Sequence, residues 1–295
     1  MYVGVSSKAR NIKAAYVGVN GVARKIKAGY VGVNGVARKI YPSGMTLKSF
    51  SAATDAEITA MLTAVRNGTI TQQDLVDAGW TVGAERPVHL SAMSATGVGE
   101  SHVAQDQTWV ILHGKDFFNL DDGGKNLFVV GLKNLLANGT TKEGGYMNST
   151  NTNSGGWNGC ARRTWCNNVF KNAIPSEELN WFRLFKVKAS NGSRSTAVTE
   201  STDLFTLPSR AEVFGGSDNS YTPDAEGTTV LSYYSTAANR IKNQGDSGSA
   251  FVWWLRSPYV GSSYSTYPFC DVSNDGSRNL ANATYNFGLS PFGCF

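Results

Sequence analysis

The chain has 295 residues, 41% of them apolar and 11% aromatic, enough for one large domain plus an appendage or for two modest domains. Only 17% are charged while glycine numbers 32, the profile of a loop-rich, strand-rich domain with an uncharged polar surface rather than of a nucleic-acid binder. The net charge of +5 is uneven: residues 1–47 carry Lys8, Arg10, Lys13, Arg24, Lys25, Lys27, Arg38 and Lys39 and no acid, which we read as solvated strand positions rather than an anion-binding patch. No run approaches the roughly 20 apolar residues that span a bilayer, so membrane insertion is not expected. Met1 leads directly into repeat sequence, with no apolar region of a signal peptide, so export by the standard route is not expected.

Tyr2-Val-Gly-Val, Tyr16-Val-Gly-Val and Tyr30-Val-Gly-Val stand 14 residues apart, and the last two copies continue through Asn20-Gly21 and Asn34-Gly35. Asn-Gly between short β-rich runs signals a hairpin, because both turn positions need positive φ. A two-residue loop would set Val19 opposite Val22 and Val17 opposite Arg24. One hairpin is marginal in water, so residues 1–45 must stack on something, and an oligomerisation or attachment segment is the favoured reading. Thr54-Asp-Ala-Glu57 is a capping box, followed by Ile58, Met61, Leu62 and Val65 at helical spacing and closed by Asn67-Gly68. A second helix over 71–78 completes a helical connector, 46–79.

From Trp80 the pattern becomes strand-like: Trp80–Gly83, Val88–Leu90 and Trp109–Leu112. Residues 126–137 fit strand or helix equally. Short helices are expected over 167–173 and 177–184, and polar loops over 139–162, 189–203 and 215–249. Few helices, many short strands and long loops predict an α+β fold, with the long loops carrying function.

The candidates for chemistry are weak. Gly245-Asp-Ser-Gly-Ser249 echoes a serine-protease loop, but His89, His102 and His113 sit in no matching motif. Asp121-Asp122-Gly-Gly lacks the alternating oxygen ligands of a calcium loop. Cys160, Cys166, Cys270 and Cys294 fail the Cys-x-x-Cys spacing and are expected as buried thiols. No cofactor, metal site or catalytic set is expected, which argues for a binder.

Trp253-Trp-Leu-Arg-Ser-Pro258, Asn274-Asp-Gly-Ser277 and the closing Gly288-Leu-Ser-Pro-Phe-Gly-Cys-Phe295 resemble the variable proteins of diversity-generating retroelements. Those are phage and bacterial proteins with a C-type lectin fold in its formylglycine-generating-enzyme-like branch. Trp80-Thr-Val-Gly, Gly155-Gly-Trp-Asn, Arg162-Arg-Thr-Trp165 and residues 204–214 support the resemblance by their order. The N-terminal repeats resemble those of phage tail and structural proteins. The resemblance implies a C-type-lectin-like domain over 80–295 that binds a protein or glycan ligand on a cell surface. It also implies a homo-oligomer, a trimer by family analogy, located on a phage tail or a bacterial surface. Neither the paired catalytic cysteines of the enzymatic relatives nor the Glu-Pro-Asn calcium motif of sugar-binding lectins is present.

Trp253, Trp254 and Leu255 are expected in the core, and Arg256 in an internal pair. Downstream, aromatic residues interleave with Ser, Thr, Asn and Gly over 259–287, as in antibody-type contact surfaces. The expected ligand-contacting residues are Tyr259, Tyr264, Ser265, Thr266, Tyr267, Phe269, Asp271, Asn279, Asn282, Thr284, Tyr285, Asn286 and Phe287. Val272, Gly276, Gly288, Pro291 and Phe292 are expected as scaffold. An enzyme of the formylglycine-generating type and a structural virion or surface protein are the alternatives.

Overall fold

The computed structural model describes the backbone of 2–5, 8–11, 16–19, 22–25, 29–33 and 36–40, together with residues 45–98, 100–137, 145–216, 221–245, 248–261 and 267–295. The repeats form three antiparallel hairpins, each its own two-stranded sheet: β1 (Tyr2–Val5) with β2 (Lys8–Asn11), β3 (Tyr16–Val19) with β4 (Val22–Lys25), and β5 (Gly29–Val33) with β6 (Val36–Ile40). Val19 does face Val22, and Val17 faces Arg24. The third hairpin repeats that register, with Val33 opposite Val36. The Asn-Gly pairs themselves lie outside the described residues.

Thr54 caps α1 (Asp55–Arg66): its hydroxyl accepts from the Glu57 amide at 3.3 Å, and the Glu57 carboxylate accepts from the Thr54 amide at 2.9 Å. The same reciprocal cap, Thr71 with Asp74, opens α2 (Gln72–Asp77). Ile58, Met61, Leu62 and Leu75 enter the same hydrophobic core as the sheets described below. Hydrogen bonds fasten this segment to the body, from Trp80 Nε1 to the Lys48 carbonyl and from Trp181 Nε1 to Thr59 Oγ1, each 3.0 Å.

The core is built on a four-stranded antiparallel sheet in the order β15-β9-β8-β7. Its strands are β7 (Glu85–Leu90), β8 (Gln105–His113), β9 (Val129–Leu132) and β15 (Phe292–Cys294). The ambiguous stretch 126–137 therefore holds a strand, buried at all four positions of β9, as a continuous apolar run covered on both faces should be. A Cβ on Gly131 would come within 2.8 Å of both Leu112 and Phe292, so the close packing of β9 requires glycine there. Trp80–Gly83 is not a strand. Trp80 turns into the core, 5.1 Å from Phe50 by ring centroids, and the strand begins only at Glu85.

α3 (Ala161–Trp165) runs through a π-helical turn (Cys166–Phe170) into α4 (Lys171–Ala173). α5 (Ser176–Leu179) ends earlier than expected, because the chain must extend into β10 (Phe185–Ser190). β10 pairs with β11 (Val198–Asp203), so the expected loop over 189–203 is corrected. The buried positions of β11 are Ser201 and Asp203, so no apolar alternation marks the strand. Asp203 is satisfied by Trp157 Nε1 at 2.8 Å and Arg163 Nε at 2.7 Å.

A further capped turn, α6 (Arg210–Phe214), precedes several 3₁₀ turns and then a three-stranded antiparallel sheet, β12 (Trp253–Pro258), β13 (Pro268–Val272) and β14 (Arg278–Asn282). The fold is thus mixed α+β, with short helices and several small antiparallel sheets. Among the described residues no helix is long and apolar enough to cross a membrane. The four cysteines are buried and unbridged, as expected.

Candidate functional site

The segment expected to contact ligand folds as β13, β14 and the turn that follows. Asn274-Asp-Gly-Ser277 makes the hairpin between the strands. The Ser277 amide donates to Asp275 Oδ1 at 2.9 Å, and Gly276 takes φ +81°, a left-handed conformation that suits glycine. Pairing then sets Asp271 between Trp254 on β12 and Asn279 on β14, with Phe269 opposite Ala281. Beyond β14 the Tyr285 amide donates to the Asn282 carbonyl at 2.9 Å, closing a tight turn. The Phe287 amide donates to the Gly145 carbonyl at 3.2 Å.

This geometry builds an aromatic ladder from core to surface. Trp254 is fully buried, Phe287 is half-buried with its ring 4.8 Å from that of Trp254, and Tyr285 meets Phe287 edge-on at 6.0 Å. Tyr285 is 52% exposed and Tyr267 is 40% exposed. Tyr267 adjoins Pro268, which pairs with Asn282, and Tyr285 bonds to that same Asn282, so both tyrosines flank one end of the β13–β14 pair. All seven tryptophans, by contrast, are buried. Asn279 is exposed, and Asn282, Thr284 and Asn286 are half-buried around the same turn.

Three expected contact residues face inward, and the surface reading is corrected for them. Phe269 and Asp271 are fully buried because β13 is a central strand covered on both faces, with all five positions inside. Tyr259 is 4% exposed, packed edge-on against Tyr221 at 5.5 Å. Tyr264, Ser265 and Thr266 lie outside the described residues. The expected scaffold residues Val272, Gly276, Gly288, Pro291 and Phe292 are all buried.

Asp271 is the least comfortable of these. Among the described residues neither carboxylate oxygen has a well-formed hydrogen bond, and Asn279 is the one side chain that offers it a donor. Burial pushes its pKa up to about 7, with only the Asn279 side chain favouring the ionised form.

The Trp253–Pro258 motif and the segment 204–214 converge elsewhere, under a cavity of about 390 Å³. Arg256 forks onto Glu212, donating through Nη1 to Oε2 at 2.7 Å and through Nη2 to Oε1, as the internal pair expected of it. Ser257 Oγ donates to Glu226 Oε2 and accepts from the Arg210 amide at 3.0 Å. Glu226 also accepts from the Ser190 amide at 2.6 Å; burial raises its pKa to about 7. Arg256, Glu212 and Glu226 line the floor, while Asn119, Lys188, Glu200 and Thr229 are exposed at the rim. Sequence reasoning missed this cavity because its walls come from segments some 140 positions apart (residues 113–119 and Arg256), with no shared motif.

Other chemistry is sparse. His113 Nδ1 lies 2.9 Å from Ser232 Oγ, but it already accepts the Ser232 amide at 3.0 Å, and among the described residues no acid hydrogen-bonds to the ring. His89 pairs with Asp106 at 2.7 Å on the surface. Asp246 and Ser247 of the protease-like loop lie outside the described residues. Among the described residues no group of three or more His, Cys, Asp or Glu could hold a metal ion.

No curated protein and no solved structure matches the chain. Residues 131–294 match the family model for a domain of unknown function, DUF6273. The match spans the chain from β9 to the end of β15 and so takes in the cavity floor and the tyrosine-bearing turn. Since it covers more than half of the sequence, the chain belongs to the DUF6273 family.

Proposed function

We propose that this chain is a non-enzymatic binding protein that grips a cell-surface protein or glycan with the β13–β14 end and the turn after it. The observation that carries this reading is the exposure of Tyr267 and Tyr285 at the same end of the β13–β14 pair while every tryptophan is buried. Tyrosine supplies large contact area at low entropic cost, and Asn279, Asn282, Thr284 and Asn286 supply adaptable hydrogen bonds around it. The aromatic ladder beneath Tyr285 gives the contact a rigid backing, so little ordering entropy is lost on binding.

The resemblance to variable proteins of diversity-generating retroelements supports a C-type-lectin-like scaffold and a contact surface rewritten at adenine positions. The expected contact positions that stand exposed or half-buried, and so are candidates for variation, are Tyr267, Asn279, Asn282, Thr284, Tyr285, Asn286 and Phe287, while Tyr264, Ser265 and Thr266 stay in the proposal although they lie outside the described residues. Sequencing the gene beside a linked template repeat tests this, and differences scattered over non-adenine positions would refute it. In this reading the hairpins join copies of the chain, three by family analogy, on a phage tail or bacterial surface. Removing 1–45 should then lower the mass found by light scattering.

The binding experiment is direct. Fluorescently labelled full-length chain is titrated onto a panel of intact bacterial cells. The double variant Tyr267→Ala, Tyr285→Ala should lose about 10- to 100-fold in affinity for the cells that bind, the cost of about 1.4 to 2.7 kcal/mol typical of truncated aromatic anchors. Its thermal unfolding should stay within a few degrees, because both side chains are exposed. Unchanged cell binding by a folded variant would refute the proposal.

A further inference from the structure

The cavity above Arg256 and Glu212 is separate in its lining residues from the tyrosine-bearing turn. Its volume of about 390 Å³ falls in the range of small-molecule sites, toward the small end. The floor is charged but internally settled. Arg256 spends its donors on Glu212, the Leu207 carbonyl and the Lys188 carbonyl. Glu226 is held by the Ser190 amide and the Ser257 hydroxyl. Lys186, on one wall, donates to Asp121 and to Thr202.

What remains for a ligand is at the rim. Lys188 and Glu200 face each other across the β10–β11 register, so their opposite charges offset one another at the mouth. The Asn119 amide and the Thr228 and Thr229 hydroxyls offer donors and acceptors without charge. Because His113 Nδ1 accepts the Ser232 amide, the proton of the neutral ring sits on Nε2, which is one more donor. Phe117, half-buried and 4.6 Å edge-on from His113, supplies an apolar wall.

Each charged class of ligand meets an opposing group here. An anion would approach Glu200, Glu226 and Asp116, and a cation would approach Lys186, Lys188 and Arg256. An apolar ligand would strip water from the rim hydroxyls and amide without replacing its hydrogen bonds. We propose that this cavity is a second binding site, for a small neutral polyhydroxylated molecule of about monosaccharide size. Hydroxyls can give and take hydrogen bonds with the rim groups, and a C–H face can lie against Phe117.

The test uses the full-length chain and ligand-detected saturation-transfer NMR with glucose, galactose and N-acetylglucosamine, alongside glucosamine as a cation and glucose 6-phosphate as an anion. At least one neutral sugar should bind with a Kd of about 10 mM or tighter, and more tightly than either charged analogue. Thr229→Val with Asn119→Ala, both at exposed positions, should weaken it about tenfold or more. Ala211→Leu, which places a larger side chain at the floor, should do the same. Cell binding through Tyr267 and Tyr285 should be unaffected in these variants, so this proposal and the one above fail separately. Absence of binding by all three neutral sugars, preference for a charged analogue, or binding that survives in the folded rim variant would overturn it.

Discussion

Replacing Arg256 by methionine should destabilise the protein by about 3–5 kcal/mol, the usual consequence of stripping one partner from a buried ion pair. Arg256 is 1% exposed and Glu212 is 5% exposed, so among the described residues the carboxylate left behind would keep only its bond from the Ser209 amide. The Leu207 carbonyl would lose its Arg256 donor as well. Urea unfolding followed by circular dichroism measures the change. The double variant Arg256→Met, Glu212→Leu should recover more than half of the loss, since replacing both charges removes two desolvation costs at once. A loss below about 1 kcal/mol in the single variant would show that the pair is not what joins β12 to α6.

The opposite sign is expected at Asp271. Its carboxyl is buried with only the Asn279 side chain to favour the charged form, and folding raises its pKa from 3.8 to about 7. The folded state therefore holds the proton more tightly than the unfolded state. The resulting penalty is absent below the unfolded pKa, grows as pH rises between the two values, and is complete above about 7. Asp271→Asn keeps the shape and removes the charge. At about pH 8 it should stabilise the fold by about 1–3 kcal/mol, the saved ionic desolvation less the cost of a poorly satisfied amide. At about pH 4 the gain should vanish, because the wild-type group is already neutral in the folded state. Glu226 and Glu178, both raised to about 7 chiefly by burial, add to the same loss of stability with rising pH. Equal effects of Asp271→Asn at both pH values in urea titrations would contradict this account.

Much of the local structure was legible because local physics decides it. The capping box at Thr54 and Glu57 needs only four consecutive residues, and the hairpin register at Val19 and Val22 needs only a two-residue turn. The run Trp253-Trp-Leu is too apolar to lie anywhere but inside. What the sequence concealed was set by distant covering elements. Phe269 and Asp271 sit in a segment of mixed polarity, and only packing on both faces of β13 buries them. β11 looked like a loop because its inward positions are Ser201 and Asp203, whose partners Trp157 and Arg163 lie some 40 positions away. Within the candidate site, the exposed tyrosines were foreseeable from composition. The cavity was not, since Glu226 belongs to an unremarkable polar stretch and gains its role only where Ser190 and Ser257 meet it.

The second and third hairpins share one sequence from tyrosine to isoleucine and one pairing scheme. Nothing in their residues tells β3 to prefer β4 over β6, so connectivity alone chooses the mate. A gene could therefore gain or shed a 14-residue unit by slippage without upsetting any register, and the length of this array becomes adjustable independently of the domain that follows it. The same degeneracy lets a strand of one molecule stand in for its twin in another, so joining copies by strand exchange would require no new interface.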